Sequence, residues 1–134
     1  MKSIFPQEML TSPEITLESV AGRLLYFQEQ IHFVHWRTSS NSEHRALGDT
    51  YEFIQNFRDE AIEKIMGYAG RKVNLFKIEP LSDVIGHNEV IDDLINYAHS
   101  IMVWARANQY CDIENLAQSL SGFAARTKYL LTQI

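Results

Sequence analysis

Between Leu17 and Val34 one set of apolar residues recurs at Leu17, Val20, Ala21, Leu24, Phe27, Ile31 and Val34. These steps of three and four place them on one face of a helix. Thr16 stands where an N-cap belongs, and the pattern ends near Thr38 in a polar run reaching Ser42. Ser40 with Glu43 three residues on is a capping-box pair, which opens a second helix carrying Leu47, Tyr51, Ile54, Ala61, Ile62 and Ile65 inward. Gly67 to Gly70 should end it. So short a turn makes the first two helices antiparallel.

Residues 71–87 hold Pro80 and Gly86 at loop-like spacing together with Val73, Leu75, Phe76 and Ile78, which predicts a crossover packed on the helices, with room for a short helical turn. Asn88 is the expected cap of a third helix running to about Asn108, with Val90, Ile91, Leu94, Ile95, Ala98, Ile101, Met102 and Ala105 inward. Asp112 is the expected cap of a fourth, burying Ile113, Leu116, Leu120, Phe123, Ala124, Tyr129, Leu130 and Ile134. Residues 1–15, with two prolines and no period, read as an extended arm. Residues 16–134 read as an all-α four-helix bundle, up-down-down-up, with one long crossover between the second and third helices: the ferritin-like arrangement.

Composition changes this picture little. A chain of 134 residues can bury enough surface to fold without staples, and its one cysteine, Cys111, forms no internal disulfide. Cys111 is expected to be a small buried or loop residue, and its solitude fits a reducing cytoplasm or leaves the compartment undetermined. No apolar run is long enough for a membrane span, and the first residues lack a secretory pattern. A net charge of −5 argues against a surface that grips nucleic acid through phosphate neutralisation. It suits attraction of small cations, and it is equally the ordinary solubility charge of a chain of this length.

The candidate chemistry lies in His35, His44, Asp59 and Glu63. Two imidazoles and two carboxylates form a mixed nitrogen and oxygen donor set that suits iron, or zinc in its place. At 100° per residue, Asp59 and Glu63 share a face that points about 120–160° away from the second helix's core stripe. They are either solvated charges paired with Arg58 or Lys64, or ligands completed by a neighbouring subunit. Tyr26, Phe33 and Trp36 lie opposite the first helix's core stripe and mark either an interface or a surface covered by the crossover. His32, one turn before Trp36, is an alternative to His35. His87 and His99 read as structural. Glu29-x-x-His32 is a single di-iron motif without the inward partners that such a centre needs.

The pattern His35-Trp36, then His44, then Asp59 fifteen residues later and Glu63 four further on, in the context DEAIEKI, resembles the Dps family of mini-ferritins. Cys111–Leu116 and Lys128–Leu131 are similar to the opening and close of that family's last helix. Two departures stand out: the interval between the histidines is nine rather than the family's usual twelve, and Gly48 occupies a position where many members carry an acid, with Asp49 beside it. The resemblance implies a homodimer as building block, a hollow shell most often of twelve subunits, and ferrous iron held by His35 and His44 of one subunit with Asp59 and Glu63 of its mate. That iron would be oxidised by dioxygen or hydrogen peroxide and stored. Without the family's Lys-rich tail, DNA binding by that route is not expected. The alternative is a ferritin-like bundle that serves as a non-enzymatic assembly or interaction protein with a degenerate metal site.

Overall fold

Thr16 begins the first helix through a reciprocal pair of bonds. Its hydroxyl accepts from the Ser19 N–H at 3.0 Å, while the Ser19 hydroxyl accepts from the Thr16 N–H at 2.8 Å. Two N–H groups that an isolated helix end would leave open are thereby satisfied. The computed structural model describes residues 14–133, so the expected arm lies outside the described residues except for its last two positions, as does Ile134.

Four helices follow: α1 (Leu17–Arg37), α2 (Asn41–Ala69), α3 (His87–Ala107) and α4 (Cys111–Leu130). The described part of the chain is an all-α four-helix bundle. Ser40 caps α2 as expected, accepting from the Glu43 N–H at 3.4 Å. The Glu43 carboxylate turns instead to His87, whose Nε2 is 3.6 Å away, and so ties the start of α2 to the start of α3. Gly70 ends α2 with φ of 67°, the left-handed conformation that glycine adopts without a Cβ penalty.

Two predicted caps move. Gly86, not Asn88, precedes α3, and Tyr110, not Asp112, precedes α4. The second shift has a local cause: Gln109 takes φ of 62° and the Tyr110 N–H donates to the Ala105 carbonyl at 2.8 Å, so the turn is complete by Tyr110. Asp112 then sits in the first turn of α4, where a negative charge still favours the helix dipole.

The core follows the predicted stripes closely. All seven inward positions of α1 are buried, with Leu47, Ile54, Ala61 and Ile65 of α2, Val90, Ile91, Leu94, Ala98, Ile101 and Ala105 of α3, and Ile113, Leu120 and Ala124 of α4. Tyr51, Ile62, Ile95, Met102, Leu116, Phe123 and Leu130 are only half-buried, Tyr129 is exposed, and Cys111 is exposed at the start of α4. Thr50 and Thr127 take two core places that polarity had hidden. Their hydroxyls lie 2.7 Å apart, and each also bonds a carbonyl one turn back, so that neither is left unpaired. No helix among the described residues is long and apolar enough to cross a membrane.

α3 and α4 pack most extensively, then α1 and α2, then α2 and α4, with a slighter contact between α3 and α1. Cross-contacts fix the directions. His35 meets Gly48, while Arg58 reaches back to Gln28, so α1 and α2 are antiparallel. Phe53 stacks on Phe123 and Tyr68 bonds Asp112, so α2 and α4 are antiparallel. Lys128 pairs with Asp92, and Arg106 with Glu114, so α3 and α4 are antiparallel too.

The segment between Gly70 and His87 runs along α1 without forming a helical turn. Arg71 makes two 2.7 Å bonds to Glu18, whose carboxylate also accepts the Asn74 N–H at 2.8 Å. The Lys77 carbonyl passes so close to Gly22 that a Cβ there would sit 2.5 Å from it. Glu79 pairs with Arg23 and the Asp83 carbonyl accepts from Arg37. Gln30, with none of its surface exposed, grips Ser82 by both ends of its amide. Its Nε2 donates to the Ser82 carbonyl at 2.9 Å, and its Oε1 accepts the Ser82 N–H at 2.8 Å.

This explains why Tyr26 is buried rather than part of an exposed aromatic stripe. It lies on the same side of α1 as Gly22 and Gln30, the residues that the crossover covers. Along the crossover, Val73, Phe76, Ser82 and Ile85 are half-buried, while Leu75, Ile78, Leu81 and Val84, spaced by three, are exposed.

Two outcomes are expected. Gln30→Ala removes both bonds to Ser82 and leaves buried groups unpaired, costing about 1–3 kcal/mol in urea denaturation. The Glu18 carboxyl is held at about 2, chiefly by its bonds to Arg71 and the Asn74 amide, below its unfolded value of 4.5. The stabilisation is therefore complete above the unfolded value and lost as pH falls toward 2. Glu18→Gln should lower the melting temperature at neutral pH, and the gap to the unsubstituted protein should close at the acid end of that window.

Candidate functional site

The short turn from Thr38 to Ser40 sets the end of α1 against the start of α2, and three imidazoles gather there. His35 and His44 stack with ring centroids 3.8 Å apart and planes at 24°. His32 lies 5.7 Å beyond His35, and is itself 4.1 Å from the Trp36 ring and 4.2 Å from the Tyr51 ring. The order His44, His35, His32 thus leads from solvent into an aromatic patch. Trp36 keeps 64% of its surface exposed.

Gly48 has a role that its spacing did not reveal. A Cβ at this position would come 3.3 Å from His35 Nε2 and 3.6 Å from its Cδ2, so the glycine leaves room for the imidazole between the helices. The position that could have carried an acid carries space.

The two histidines differ in readiness. His44 Nδ1 lies 3.2 Å from the His35 carbonyl. A proton on Nδ1 makes that contact a hydrogen bond and turns the Nε2 lone pair outward, the orientation seen in ligating histidines. His35 is half-buried, and its Nδ1 is enclosed without a partner. Burial, followed by the neighbouring His44 and His32, lowers the His35 pKa, so its neutral form prevails.

Asp59 and Glu63 are both exposed, about a third of the way round α2 from its core stripe or more. Asp59 is 66% exposed and lies 3.3 Å from Arg58, whose guanidinium also bonds the buried Gln28. Lys64 pairs with Glu60 rather than with Glu63. Beside the acids is a hollow between the helices and the crossover, lined by Ala21, Leu25, Ile62, Met66, Val73 and Phe76.

Within one chain the four predicted ligands do not meet. Asp59 is eleven residues along α2 from Gly48, which lies against His35, a distance of about 16 Å. Among the described residues no three His, Cys, Asp or Glu side chains form a group able to hold a metal ion. The stacked histidines are no exception, because nitrogen lone pairs lie in the ring planes and near-parallel rings aim them side by side.

Other expectations resolve individually. Glu29 is exposed and His32 faces Trp36 and Tyr51 at the surface, so the Glu29-x-x-His32 motif does not address the bundle interior. His87 links helices through Glu43, in keeping with a structural role, whereas His99 is exposed on α3. The importance of Gln28, Gln30 and Gly48 was not read from the sequence. Polar residues opposite a core stripe look solvated until the segment covering them is known.

His44→Ala should raise the His35 pKa toward the ordinary histidine value, because it removes a neighbouring charge and part of the covering surface. A ring titration by NMR measures this; an unmoved midpoint would mean that the two imidazoles do not interact.

A family model described as a family of unknown function (DUF5856) matches residues 35–131, a span that takes in His35, His44, Asp59 and Glu63. No curated protein and no solved structure matches the chain.

Proposed function

Because the chain belongs to a family of unknown function, DUF5856, which brings no activity to transfer, we propose from the site itself that it binds and oxidises ferrous iron between paired subunits. The bundle is read as ferritin-like, with the crossover along α1 as its long connection. The assembly is read as a homodimer that builds a hollow shell in the manner of the Dps mini-ferritins, in the cytoplasm.

One observation carries the reading. Two imidazoles and two carboxylates lie on the α1–α2 side of the molecule, outside its core, and about 16 Å separates the His35 level from Asp59. A twofold operation brings the histidine corner of one copy to the acids of the other, twice over. Ferrous iron, as substrate, would be held by His35 and His44 of one protomer and by Asp59 and Glu63 of its mate. Neutral imidazoles retain affinity for the ferrous ion, and hard carboxylates favour the ferric product, which lowers the potential. The neutral form of His35 and the outward Nε2 of His44 suit this use, and His35 must turn out of its place beside Gly48 to join it.

Gly48 supplies no donor, so the reading assigns one ion to each site rather than two. Each ion gives one electron, so two ferrous ions with two protons reduce one hydrogen peroxide to two waters, or one dioxygen to hydrogen peroxide. Zinc is the non-redox substitute that the same donors accept.

A second reading keeps the paired assembly and drops the chemistry. The ion pair between Asp59 and Arg58 favours it, since a carboxylate already matched to a guanidinium must exchange partners to take a metal.

Ferrous oxidation followed by ultraviolet absorbance, with bound metal measured by mass spectrometry, separates the two. Asp59→Ala with Glu63→Ala should reduce oxidation to the rate in buffer while leaving helicity unchanged, because both side chains are exposed. Oxidation at the unsubstituted rate in that double variant would end the metal assignment.

A further inference from the structure

Asp59 is the outer member of an ion pair whose other half lies deeper. The Asp59 side chain keeps 66% of its surface exposed, and that of Arg58 only 19%. Nε and Nη2 of Arg58 both reach the same carboxylate oxygen, Asp59 Oδ1, at 3.3 Å, and among the described residues no contact takes Oδ2. The remaining guanidinium nitrogen, Nη1, donates to Oε1 of Gln28, a residue of α1 that is 3% exposed. A cation anchored in the neighbouring helix is thus held against one side of the acid.

The hollow beside Ile62 is lined by three charged residues, Arg58, Asp59 and Glu63, so one cation faces two anions. Neighbouring cations leave that balance as it is, because Lys64 pairs with Glu60 and Arg71 with Glu18.

We propose that Arg58 is a resident counter-ion that competes with metal for Asp59, so that the acid pair accepts a cation only when the ion displaces the guanidinium. The inference rests on the preceding reading's assignment of Asp59 and Glu63 as ligands, and it adds the residue that governs their loading.

Burial and anchoring make the competitor strong. A guanidinium that has lost most of its contact with water depends on its partners, and Asp59 is its only carboxylate partner among the described residues. The bond to Gln28 keeps the side chain from wandering into solvent, so the competitor stands preorganised beside the acid. A monovalent ion brings Asp59 no more charge than the guanidinium does, and without its hydrogen bonds. A divalent ion brings twice the charge and takes a second carboxylate in Glu63, which has no ion-pair partner among the described residues. Arg58 therefore sets a threshold that divalent ions pass and sodium or potassium does not. Once displaced, it retains Gln28, so the exchange moves one side chain and no helix.

The test uses the full chain without iron and manganous ion as the probe. This ion prefers carboxylates to imidazoles and needs no oxidant, and its free concentration is read by electron paramagnetic resonance. Arg58→Met should bind it about tenfold more tightly or better, since a doubly charged ion a few ångströms from a unit charge feels a repulsion of that order even at the dielectric of water. Arg58→Lys restores the charge and should bring the affinity back toward the unsubstituted value. Adding Asp59→Ala to Arg58→Met should abolish the gain, because the effect acts through that carboxylate. Circular dichroism must show native helicity in each variant. A purely structural Arg58 would lower the melting temperature on substitution without tightening manganous binding.

An affinity that Arg58→Met leaves unchanged or weakens, a gain that survives Asp59→Ala, or no binding in either the unsubstituted or the Arg58→Met protein would overturn the proposal. These outcomes separate from the iron chemistry. Tighter manganous binding in Arg58→Met, with no iron oxidised by the unsubstituted chain, supports the competition and removes the ferroxidase reading. Iron oxidation by a chain whose manganous affinity is indifferent to Arg58 overturns the competition and leaves the chemistry standing.

Discussion

The grip of Gln30 on Ser82 is the contact on which the arrangement of this molecule turns. A buried amide that meets a passing backbone N–H and carbonyl with its own carbonyl and N–H does what a neighbouring strand would do, and does it in the middle of a helix face. With the Gly22 approach and the Glu18–Arg71 pair, it holds the crossover along the whole of α1. Having travelled that length, the chain can only begin α3 near the start of α2. The parallel relation of those two helices, sealed by Glu43 and His87, is a consequence of the route.

That route also decides which surface α1 has to offer. An isolated α1–α2 hairpin would expose Tyr26, Gln30 and Phe33 as well as Leu25, His32 and Trp36. The crossover takes the first side and leaves the second. What remains uncovered carries the histidine stack at one end and the acids at the other, so the electrostatic asymmetry of the face is produced by burial as much as by sequence. The crossover exposes apolar residues of its own, at Leu75, Ile78, Leu81 and Val84.

At the histidine corner, space matters as much as donors. Gly48 admits the His35 ring between the helices, and the enclosure holds that ring neutral, which a metal ligand requires and a solvated histidine reaches only at higher pH. The same enclosure prevents a site from forming within one subunit. Stacked rings satisfy packing first, and their lone pairs run side by side. Under the proposed reading a shared ion therefore needs donors from a second copy, and what the fold itself provides is that Asp59 and Glu63 are exposed, away from the core of their own chain.

By itself the sequence determined what depends on neighbours three and four residues away: four helices, the buried stripe of each, the Thr16 and Ser40 caps, the stop at Gly70 and the outward aim of Asp59 and Glu63. Those follow from periodicity and from local hydrogen bonding, which act within one turn of chain. Only the tertiary structure decided that Tyr26 is covered and Trp36 is not, that Gln30 is a latch, that Thr50 and Thr127 share a core bond, and that Gly48 makes room for an imidazole. Each of these depends on which segment passes over a face, and a side chain opposite the core stripe has the same local pattern whether water or a distant stretch of backbone lies against it.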